Sequence, residues 1–315
     1  MKAIVCTKYG PPEVLQLQDV EKPAPKNKEV LIKIYATSVT ASDCIMRRLK
    51  INVWRPTGFM AGLVMGFNKP RHSIFGGVLA GKVESAGKAV KQFKAGDQVF
   101  GMTIKSLLRL RLGAYAEYTC LPEDSLIALK PSNITYEEAA ALPYGGMLAL
   151  HFLKKGNIQS GQKVLIYGAS GAIGTAAVQL AKYFGATVTG VCSTTNVELV
   201  KSLGADTVID YTCEDFMNSG QRYDLILNAV GKRKAQLQCE NSLTPNGKHI
   251  TVDDGTPIPQ LEDLLLFKEL AESGALKPVI DRTYPLEEMV EAHRYVDGGH
   301  TKGNVVITVG HSMSE

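Results

Sequence analysis

The sequence predicts an α/β protein of two domains, one β-rich and the other built on a doubly wound parallel sheet. The first observation behind this prediction is the length of 315 residues, which exceeds the usual size of one domain. The second is a change of pattern along the chain. The first 124 residues hold short β-branched runs separated by Gly and Pro, whereas strand and helix patterns alternate after Pro131.

The β-branched runs in the first part of the chain predict strands that pair antiparallel. Val30–Ile34, Gly77–Ser85 and Gln98–Phe100 are the clearest of these runs. A Gly96-Asp97 turn directly precedes the third run, which indicates a hairpin at this point. We therefore expect the first 124 residues to be mostly antiparallel β-structure.

After Pro131, short apolar strands alternate with helical patterns. The predicted strands are Lys163–Gly168, Thr187–Cys192, Thr207–Asp210, Leu225–Val230 and Lys248–Val252. Apolar residues recur at helical spacing from Ile173 to Phe184, and a second helix is predicted over Val197–Leu203. This alternation is typical of a parallel sheet that helices cover on both faces.

The turn after the first of these strands, from Gly168 to Gly174, carries the pattern A-x-G-x-x-G. Gly171 permits close approach of the backbone to a pyrophosphate, and Gly174 permits tight packing of the helix on the strand. The free N–H groups at the start of the helix face the anion. The alternative is a merely structural glycine turn, but its position between a strand and a helix favours a dinucleotide site.

The end of the second strand indicates which dinucleotide binds, because sites for NAD normally place an Asp or Glu there. The segment Cys192–Asn196 (CSTTN) contains no carboxylate, and the first acidic residue after Gly168 is Glu198. The hydroxyl and amide groups of the segment Cys192–Asn196 are compatible with a 2′-phosphate, so NADPH is the predicted cofactor. A competing interpretation needs no ligand, because Thr195 and Glu198 have the spacing of a capping box.

Composition and charge limit the classes of function open to this chain. Hydrophobic residues make up 45% and charged residues 21% of the sequence, an ordinary balance for a soluble, well-cored protein. The net charge of +4 is modest and the basic clusters are short, so no nucleic-acid partner is expected. The sequence shows no membrane-spanning apolar run, no signal-peptide core and no C-x-x-C pair. We therefore expect a cytoplasmic protein with reduced thiols and no membrane partner.

Together with further segments, these motifs make the chain similar to the medium-chain dehydrogenase/reductase superfamily. Within it, the chain resembles the zinc-free quinone oxidoreductase branch, which includes zeta-crystallin. The segments that carry the resemblance are Met1–Val5 with Gly10, Val78–Gly101, Gly113–Tyr118 (GAYAEY), Glu138–Pro143 (EAAALP), Gly168–Lys182, Leu203–Tyr211 (LGADTVIDY), Pro278–Pro285, Ala292–His293 and Gly303–Thr308.

The resemblance implies a GroES-like, β-rich catalytic domain formed by residues 1–124 and 279–315. A Rossmann NADP-binding domain, residues 125–278, would be inserted between these two segments. Substrate and cofactor would meet in the cleft between the domains. The residues expected to contact the cofactor are Ser170, Gly171, Ala172, Ile173, Gly174, Ser193, Thr194, Asn196, Tyr211, Val230, Val252 and Asp253.

Two departures from the superfamily pattern concern zinc. Zinc-dependent members carry a catalytic Cys at the position of Thr40, and they carry Gly-His-Glu where this chain reads Gly76-Gly77-Val78. Neither Thr40 nor Gly77 supplies the thiolate or imidazole that zinc needs, and the four closely spaced Cys of a structural zinc lobe are also missing. We therefore predict that the protein holds no metal.

Without zinc as a Lewis acid, oxidation of an alcohol is disfavoured, because no metal stabilises an alkoxide. An electron-poor acceptor needs only a hydride and a proton. The predicted function is therefore NADPH-dependent reduction of a small hydrophobic quinone or α,β-unsaturated carbonyl compound. The alternative is a regulatory or structural protein of the same fold that binds NADPH without significant turnover. The sequence leaves the choice between quinone and double-bond reduction open.

The candidate catalytic residues are Tyr144, Thr40 and Asp43, since the sequence shows no catalytic triad or carboxylate pair. The phenol of Tyr144 could donate a hydrogen bond to a substrate oxygen, although packing against the nicotinamide explains this residue equally well. Asp43 and Arg47 have the i, i+4 spacing of a helical ion pair. A structural role for Asp43 is therefore favoured over a role as an acid.

The apolar segment Ile51–Arg71 is expected to form a lid over the cleft rather than a plain core helix. Its large apolar residues are Trp54, Phe59, Met60, Leu63, Met65 and Phe67. Such a lid would favour a hydrophobic acceptor.

The segment after the last strand of the parallel sheet predicts the assembly. Relatives commonly dimerise by pairing edge strands there, but Val252–Gly255 runs through Pro257 and Pro259 almost directly into a helix at Glu262–Ala271. No residues remain for the usual edge strand, and proline cannot donate ladder hydrogen bonds. We therefore expect a monomer, or a dimer through another surface, with Asp253 bordering the cofactor cleft.

Overall fold

The computed structural model describes residues 1–49, 62–104, 111–213, 220–231, 241–255 and 257–311. The chain begins with a small antiparallel pair, β1 (Lys2–Cys6) and β2 (Leu15–Asp19). The buried side chains of β1 pack into the core of the first domain, while β2 leaves most of its side chains exposed.

A larger antiparallel sheet follows and confirms the three strands predicted for the first part of the chain. Its strands are β3 (Glu29–Val39), β4 (Val78–Ala86), β5 (Gln98–Met102), β6 (Tyr118–Pro122) and β7 (Leu126–Leu129). β3 is central because β4 pairs along one side, and β6 pairs with its first half on the other. The side chains of Val30, Ile32 and Ile34 on β3 are fully buried.

A short helix, α1 (Ala41–Arg47), begins directly after β3, and a capping box fixes its first turn. The Thr40 hydroxyl accepts a hydrogen bond from the backbone N–H of Asp43. The Asp43 carboxylate accepts one in return from the backbone N–H of Thr40. The local sequence therefore sets the direction in which this helix leaves the sheet.

The second part of the chain forms the predicted Rossmann domain. It opens with α2 (Tyr136–Ala141) and α3 (Pro143–Lys155). Its parallel strands are β8 (Lys163–Tyr167), β9 (Thr187–Cys192), β10 (Thr207–Asp210), β11 (Tyr223–Asn228) and β12 (Leu243–Thr251), in the order β10-β9-β8-β11-β12. The helices α4 (Ala172–Tyr183), α5 (Val197–Ser202) and α6 (Leu261–Glu272) complete it. The strand order reverses between β8 and β11, the place where such sheets bind ligands.

After α6 the chain returns to the first sheet, so the GroES-like domain contains both the first and the last described strands. β13 (Ile280–Pro285) pairs in parallel with β14 (Asn304–Thr308), and β14 pairs antiparallel with the second half of β3. Between them, α7 (Met289–Asp297) packs on α1. The expected boundary between residues 124 and 125 falls just before β7, which still pairs with β5 in this sheet.

The strand β12 is the outermost strand of the parallel sheet in the described part of the chain. Its pairing with β11 is irregular, because a register shift separates the Tyr223–Leu243 pair from the Leu225–Lys248 pair. Residues 252–255 and 257–260, which lead to α6, form no strand. The free edge of the sheet is therefore bulged, and it carries Pro245 as well as Lys248.

Candidate cofactor cleft and active site

A cavity of about 690 Å³ lies between the two domains, at the carboxyl ends of the parallel strands. The GroES-like domain contributes Val39, Thr40, Ala41, Val296, Gly299, His300, Thr301, Lys302, Gly303, Asn304 and Val305 to its wall. The Rossmann domain contributes Tyr144, Tyr167, Gly168, Ser170, Gly171, Ala172, Ile173, Gly174, Cys192, Ser193, Thr195, Asn196, Tyr211, Ala229 and Val230. Both domains therefore form one elongated site.

Gly171 and Gly174, in the turn between β8 and α4, differ in the physical reason why glycine occupies each position. A Cβ on Gly174 would lie 2.1 Å from the carbonyl oxygen of Gly168, so the close packing of helix on strand requires glycine there. Gly171 has an ordinary φ of −79°, and a Cβ on it would meet only the Gly168 oxygen, at 3.7 Å. The protein itself thus gives no steric reason for glycine at position 171. The missing side chain leaves room for a ligand beside the start of α4.

The start of α4 suits an anion. Gly171 is the N-cap residue, and no side chain accepts a hydrogen bond from the first N–H groups of the helix. These groups have no partner within the helix, and the helix dipole adds positive potential at the same place. The turn and the helix start therefore fit the pyrophosphate of a nicotinamide dinucleotide.

The end of β9 presents an amide and several hydroxyl groups to the cavity. The Asn196 amide donates to the Ser170 hydroxyl at 3.2 Å and to the Ser193 hydroxyl at 3.1 Å. The predicted capping box between Thr195 and Glu198 is wrong, because α5 begins after Asn196 and has no side-chain cap. The bonds of Asn196 to the glycine-rich turn and to Ser193 hold this segment instead.

Two large hydrophobic side chains on the cavity wall, next to the ends of β10 and β11, are exposed. Tyr211 follows β10 and is 55% exposed, and Val230 follows β11 and is 46% exposed. Both line the cavity, so an aromatic base bound between the strand ends would cover them. A planar adenine gains most from contacts of this kind, which are dispersive and non-directional.

The cavity wall carries the cationic side chain of Lys302. Among the described residues that line it there is no Asp or Glu, whereas His300 and Lys302 both contribute. They lie on the turn between α7 and β14, in the GroES-like domain. Neither residue was among the predicted site residues. The only available signal was their position next to Gly303, at the start of a segment that carries the superfamily resemblance.

Three of the expected cofactor contacts are not on the cavity wall. The Thr194 hydroxyl is hydrogen-bonded to Thr212, and Val252 packs against the core of the Rossmann domain. A carboxylate oxygen of Asp253 lies 3.0 Å from the point where a Cβ on Gly231 would stand. The other expected residues, from Ser170 to Gly174 and Ser193, Asn196, Tyr211 and Val230, all line the cavity.

Tyr144 and Thr40 lie on the cavity wall where α1 and α3 approach each other. The Tyr144 hydroxyl is 3.1 Å from the hydroxyl of Ser42, which is the second residue of α1. Burial raises the pKa of the Tyr144 phenol above its ordinary value, so the phenol is protonated near neutral pH. It can therefore donate a hydrogen bond but cannot act as a base.

Asp43 lies behind Thr40 and does not line the cavity. Its side chain is buried, and burial raises the pKa of the carboxyl to about 6 against the opposing effect of hydrogen bonds from Thr40. The predicted ion pair of Asp43 with Arg47 is wrong. The buried Arg47 guanidinium pairs with Asp297 at the end of α7 and donates to the Gly10 carbonyl oxygen. Tertiary packing of α7 on α1 thus overrides the local spacing rule.

Comparison with known proteins identifies the family. Residues 26–131 match the alcohol dehydrogenase GroES-like domain, and residues 172–283 match the zinc-binding dehydrogenase family. The 2-methylene-furan-3-one reductase of Solanum lycopersicum is 35% identical over 98% of this chain and 79% of its own length. The chain belongs to the medium-chain dehydrogenase/reductase superfamily.

Two further proteins similar to this chain are also oxidoreductases, like the Solanum lycopersicum relative. The chloroplastic NADPH-dependent alkenal/one oxidoreductase of Arabidopsis thaliana is 31% identical over 98% of the chain and 79% of its own length. The solved structure of a quinone oxidoreductase from Coxiella burnetii matches with a TM-score of 0.84 and 28% identity, over 98% of this chain and 99% of that one. Both agree with an oxidoreductase that uses a nicotinamide cofactor.

Metal donors are scarce in this superfamily member, although one matching family is described as zinc-binding. In the described ranges, no three His, Cys, Asp or Glu residues lie close enough together to hold an ion. Thr40 is the N-cap of α1, and a Cβ on Gly77 would stand 3.2 Å from Ile104. The Thr40 hydroxyl is therefore engaged by Asp43, and Gly77 lies against an apolar side chain.

The expected lid lies partly outside the described residues, which omit positions 50–61 and with them Trp54, Phe59 and Met60. In the part that is described, the Tyr9 hydroxyl donates to the carbonyl oxygens of Met65 and Gly66. Leu63 and Phe67 are more than a third exposed, and none of residues 62–71 lines the cofactor cavity. This part of the segment packs beside β1 instead of covering the cleft.

Proposed function

We propose that this protein is a zinc-independent, NADPH-dependent reductase of quinones or α,β-unsaturated carbonyl compounds. The observation that carries the proposal is the interdomain cavity, whose wall combines an uncapped helix start and the cationic side chain of Lys302 with no carboxylate among its described residues. Such a wall attracts a polyanionic dinucleotide. The names of the alkenal/one and quinone oxidoreductases that resemble the chain support the acceptor class.

The choice of NADPH rests on charge. A carboxylate at the end of β9 would repel a 2′-phosphate, and the side chains there are those of Ser193, Thr195 and Asn196. Lys302 adds positive charge from the opposite wall, where His300 lies beside it. The N–H groups at the start of α4 would hold the pyrophosphate, while Tyr211 and Val230 would contact the adenine. Bound NADPH supplies a hydride at its nicotinamide ring.

Zinc independence rests on the donors. Neither Thr40 nor Gly77 offers a thiolate or an imidazole, so the site would lack the Lewis acid that alcohol oxidation needs. An acceptor that is already electron-poor requires only a hydride, a proton and a group that orients its oxygen. Tyr144, at the end of the cavity between α1 and α3, is the side chain proposed for that orientation, and Thr40 lines the wall beside it.

The test is a turnover assay on chelator-treated protein. NADPH and NADH are each supplied with a panel of quinones and enones, and zinc content is measured on the same sample. We expect turnover with NADPH, a smaller rate with NADH and no dependence on zinc. Binding of NADPH without turnover of any acceptor would point instead to a regulatory or structural protein. One zinc per active chain would refute zinc independence.

The irregular outer strand supports a monomer, or a dimer through some other surface. A bulged edge that carries Pro245 and Lys248 is a poor template for a sheet shared between two subunits. No described helix is long and apolar enough to cross a membrane. The free thiols of Cys6, Cys44 and Cys192 are buried, which fits a reducing compartment, and we propose the cytoplasm.

A further inference from the structure

Two hydroxyl groups meet at the end of the cavity where the acceptor would bind. The Tyr144 hydroxyl and the Ser42 hydroxyl are 3.1 Å apart, and either can be the donor. Tyr144 lines the cavity, whereas Ser42 is exposed to solvent. The pair therefore joins the inside of the cavity to bulk water through one hydrogen bond between α1 and α3.

The neighbouring hydroxyl of Thr40 cannot play the same part. It donates to the Asp43 carboxylate at 2.6 Å and accepts from the Asp43 backbone N–H at 3.2 Å. Its hydrogen is committed to a buried carboxylate, so toward the cavity this hydroxyl can only accept. Asp43 itself is 1% exposed and does not reach the cavity. Of the hydroxyls at this end, the Tyr144 phenol is the one whose hydrogen is free for an acceptor.

We propose that Tyr144 and Ser42 form a relay that carries a proton from solvent to the oxygen of the reduced acceptor. The relay rests on the proposed reductase function and deepens it, because it assigns a proton donor to that site. In this relay α1 positions Ser42, because the capping box of Thr40 with Asp43 fixes the first turn of the helix.

The proton and electron balance is simple. Hydride delivered to the β-carbon of an enone brings an electron pair and leaves an enolate oxygen. The Tyr144 O–H bond breaks as its proton moves to that oxygen, and the resulting enol converts to the saturated carbonyl compound in solution. Ser42 passes its own proton to the Tyr144 oxygen and takes one from water. Overall, the acceptor gains one hydride and one proton, and both side chains return to their starting state.

The protonation state of Tyr144 agrees with this direction of transfer. Burial raises the pKa of its phenol, the bond with Ser42 lowers it, and the nearby Asp43 carboxylate raises it further. The Cys44 thiol, which is buried against His293, has its pKa raised by burial to about 12 and stays neutral. The phenol is therefore a protonated donor at neutral pH and needs a second hydroxyl to restore its proton quickly.

Substitutions that remove one oxygen each test the relay. We expect Tyr144→Phe to lower kcat by about 100-fold or more, the usual contribution of a positioned acid, without weakening NADPH binding. Ser42→Ala should lower kcat less, because water can take its place, and Ser42→Thr should restore it. Matched controls are Tyr183→Phe on the exposed end of α4 and Ser202→Ala at the end of α5.

A second readout does not depend on turnover. In cofactor-free protein labelled with fluorotyrosine, the fluorine resonance missing from Tyr144→Phe identifies Tyr144, and its alkaline titration gives the phenol pKa. Because the Ser42 bond lowers that pKa, Ser42→Ala should raise it, and Ser202→Ala should not.

Failure of the relay and failure of the proposed function give different results. Unchanged kcat in Tyr144→Phe, in a wild-type protein that reduces enones, would overturn the relay alone. An unchanged Tyr144 titration in Ser42→Ala would also overturn it, whether or not any acceptor turns over. Absence of turnover in the wild-type protein, together with a raised Tyr144 pKa in Ser42→Ala, would refute the reductase function. That result would still support the hydrogen bond between the Tyr144 and Ser42 hydroxyls.

Discussion

The backbone N–H of Gly303 donates a hydrogen bond of 2.8 Å to the carbonyl oxygen of Ser170. Ser170 belongs to the glycine-rich turn of the Rossmann domain, and Gly303 directly precedes β14 of the GroES-like sheet. Gly171 and Gly303 also pair as an isolated parallel bridge. The two walls of the cleft are thus joined beside the proposed pyrophosphate site, and Lys302 is carried to the cavity by this contact.

The different environments of Gly171 and Gly174 give a prediction about cofactor binding. Gly171→Val should leave the free energy of unfolding within about 1 kcal/mol, because its Cβ would meet only the Gly168 oxygen, at an ordinary contact distance of 3.7 Å. It should nevertheless raise the Kd for NADPH at least tenfold, or about 1.4 kcal/mol. Gly174→Val is the matched control and should lower the free energy of unfolding by about 1–3 kcal/mol through overpacking. Chemical denaturation and NADPH titration measure both effects, and normal NADPH binding by Gly171→Val would refute the assignment of the turn.

The positive wall predicts an effect of Lys302. Lys302→Met should weaken NADPH binding by about 0.5–1.5 kcal/mol, a modest loss because this side chain is exposed and screened by solvent. The loss should shrink as salt is added. Lys268→Met, which removes a charge from α6 outside the cavity, should leave the affinity unchanged. Fluorescence titration at two ionic strengths checks this, and an affinity insensitive to Lys302 would show that the phosphates bind elsewhere.

The buried carboxyl of Asp43 predicts a pH-dependent contribution to stability. Its pKa is raised by burial from 3.8 to about 6, so the fold favours the protonated form. This stabilisation is complete below pH 3.8 and is lost as the pH rises through 6. Relative to Asp43→Asn, which stays neutral, the wild-type protein should lose on the order of 1–3 kcal/mol across that window.

The comparison with Asp43→Asn is needed because a second group titrates nearby in the opposite sense. Burial lowers the pKa of His293 to about 3, so His293 makes the fold more stable as the pH rises. In the wild-type protein, Asp43 and His293 change the free energy of unfolding with pH in opposite directions. The difference in that free energy between the wild-type protein and Asp43→Asn isolates the contribution of Asp43. Denaturation at several pH values measures that difference, and a difference that stays constant with pH would contradict a raised pKa for Asp43.

The outer strand β12 predicts the oligomeric state. We expect light scattering at micromolar concentration to give the mass of one chain or of a dimer joined through a surface other than β12, because the edge is bulged and carries Pro245 and Lys248. A dimer whose subunits pair along β12 would refute this reasoning. A dimer through another surface would agree with it.

Most of the fold follows from local patterns, and so does the centre of the site. The glycine-rich turn from Gly168 to Gly174 could be predicted because strand, turn and helix are contiguous in the sequence. His300 and Lys302 could not, since they reach the cavity only after β14 returns to pair with β3. Local rules also failed where a distant partner competes: Arg47 pairs with Asp297 on α7 rather than with Asp43 four residues earlier.

The same limit applies to the segments at the end of β9 and after β12. Thr195 has the spacing of a capping residue, but the amide of Asn196 is held by Ser170 from another loop. The position of Asp253 depends on how the short connection between β12 and α6 folds back, and that connection has no pattern of its own in the sequence. The partnership of Ser42 with Tyr144 joins residues 102 positions apart, so no spacing rule could have revealed it.

The most direct test of the central claim follows the hydride itself. Chelator-treated protein is mixed with an enone and with NADPH that carries deuterium at the transferred position, and the product is examined by mass spectrometry and NMR. The account predicts a saturated carbonyl compound with one deuterium at the former β-carbon, formed without zinc, and a quinol when a quinone replaces the enone. Recovery of unlabelled enone and quinone, with NADPH bound but not oxidised, would contradict it.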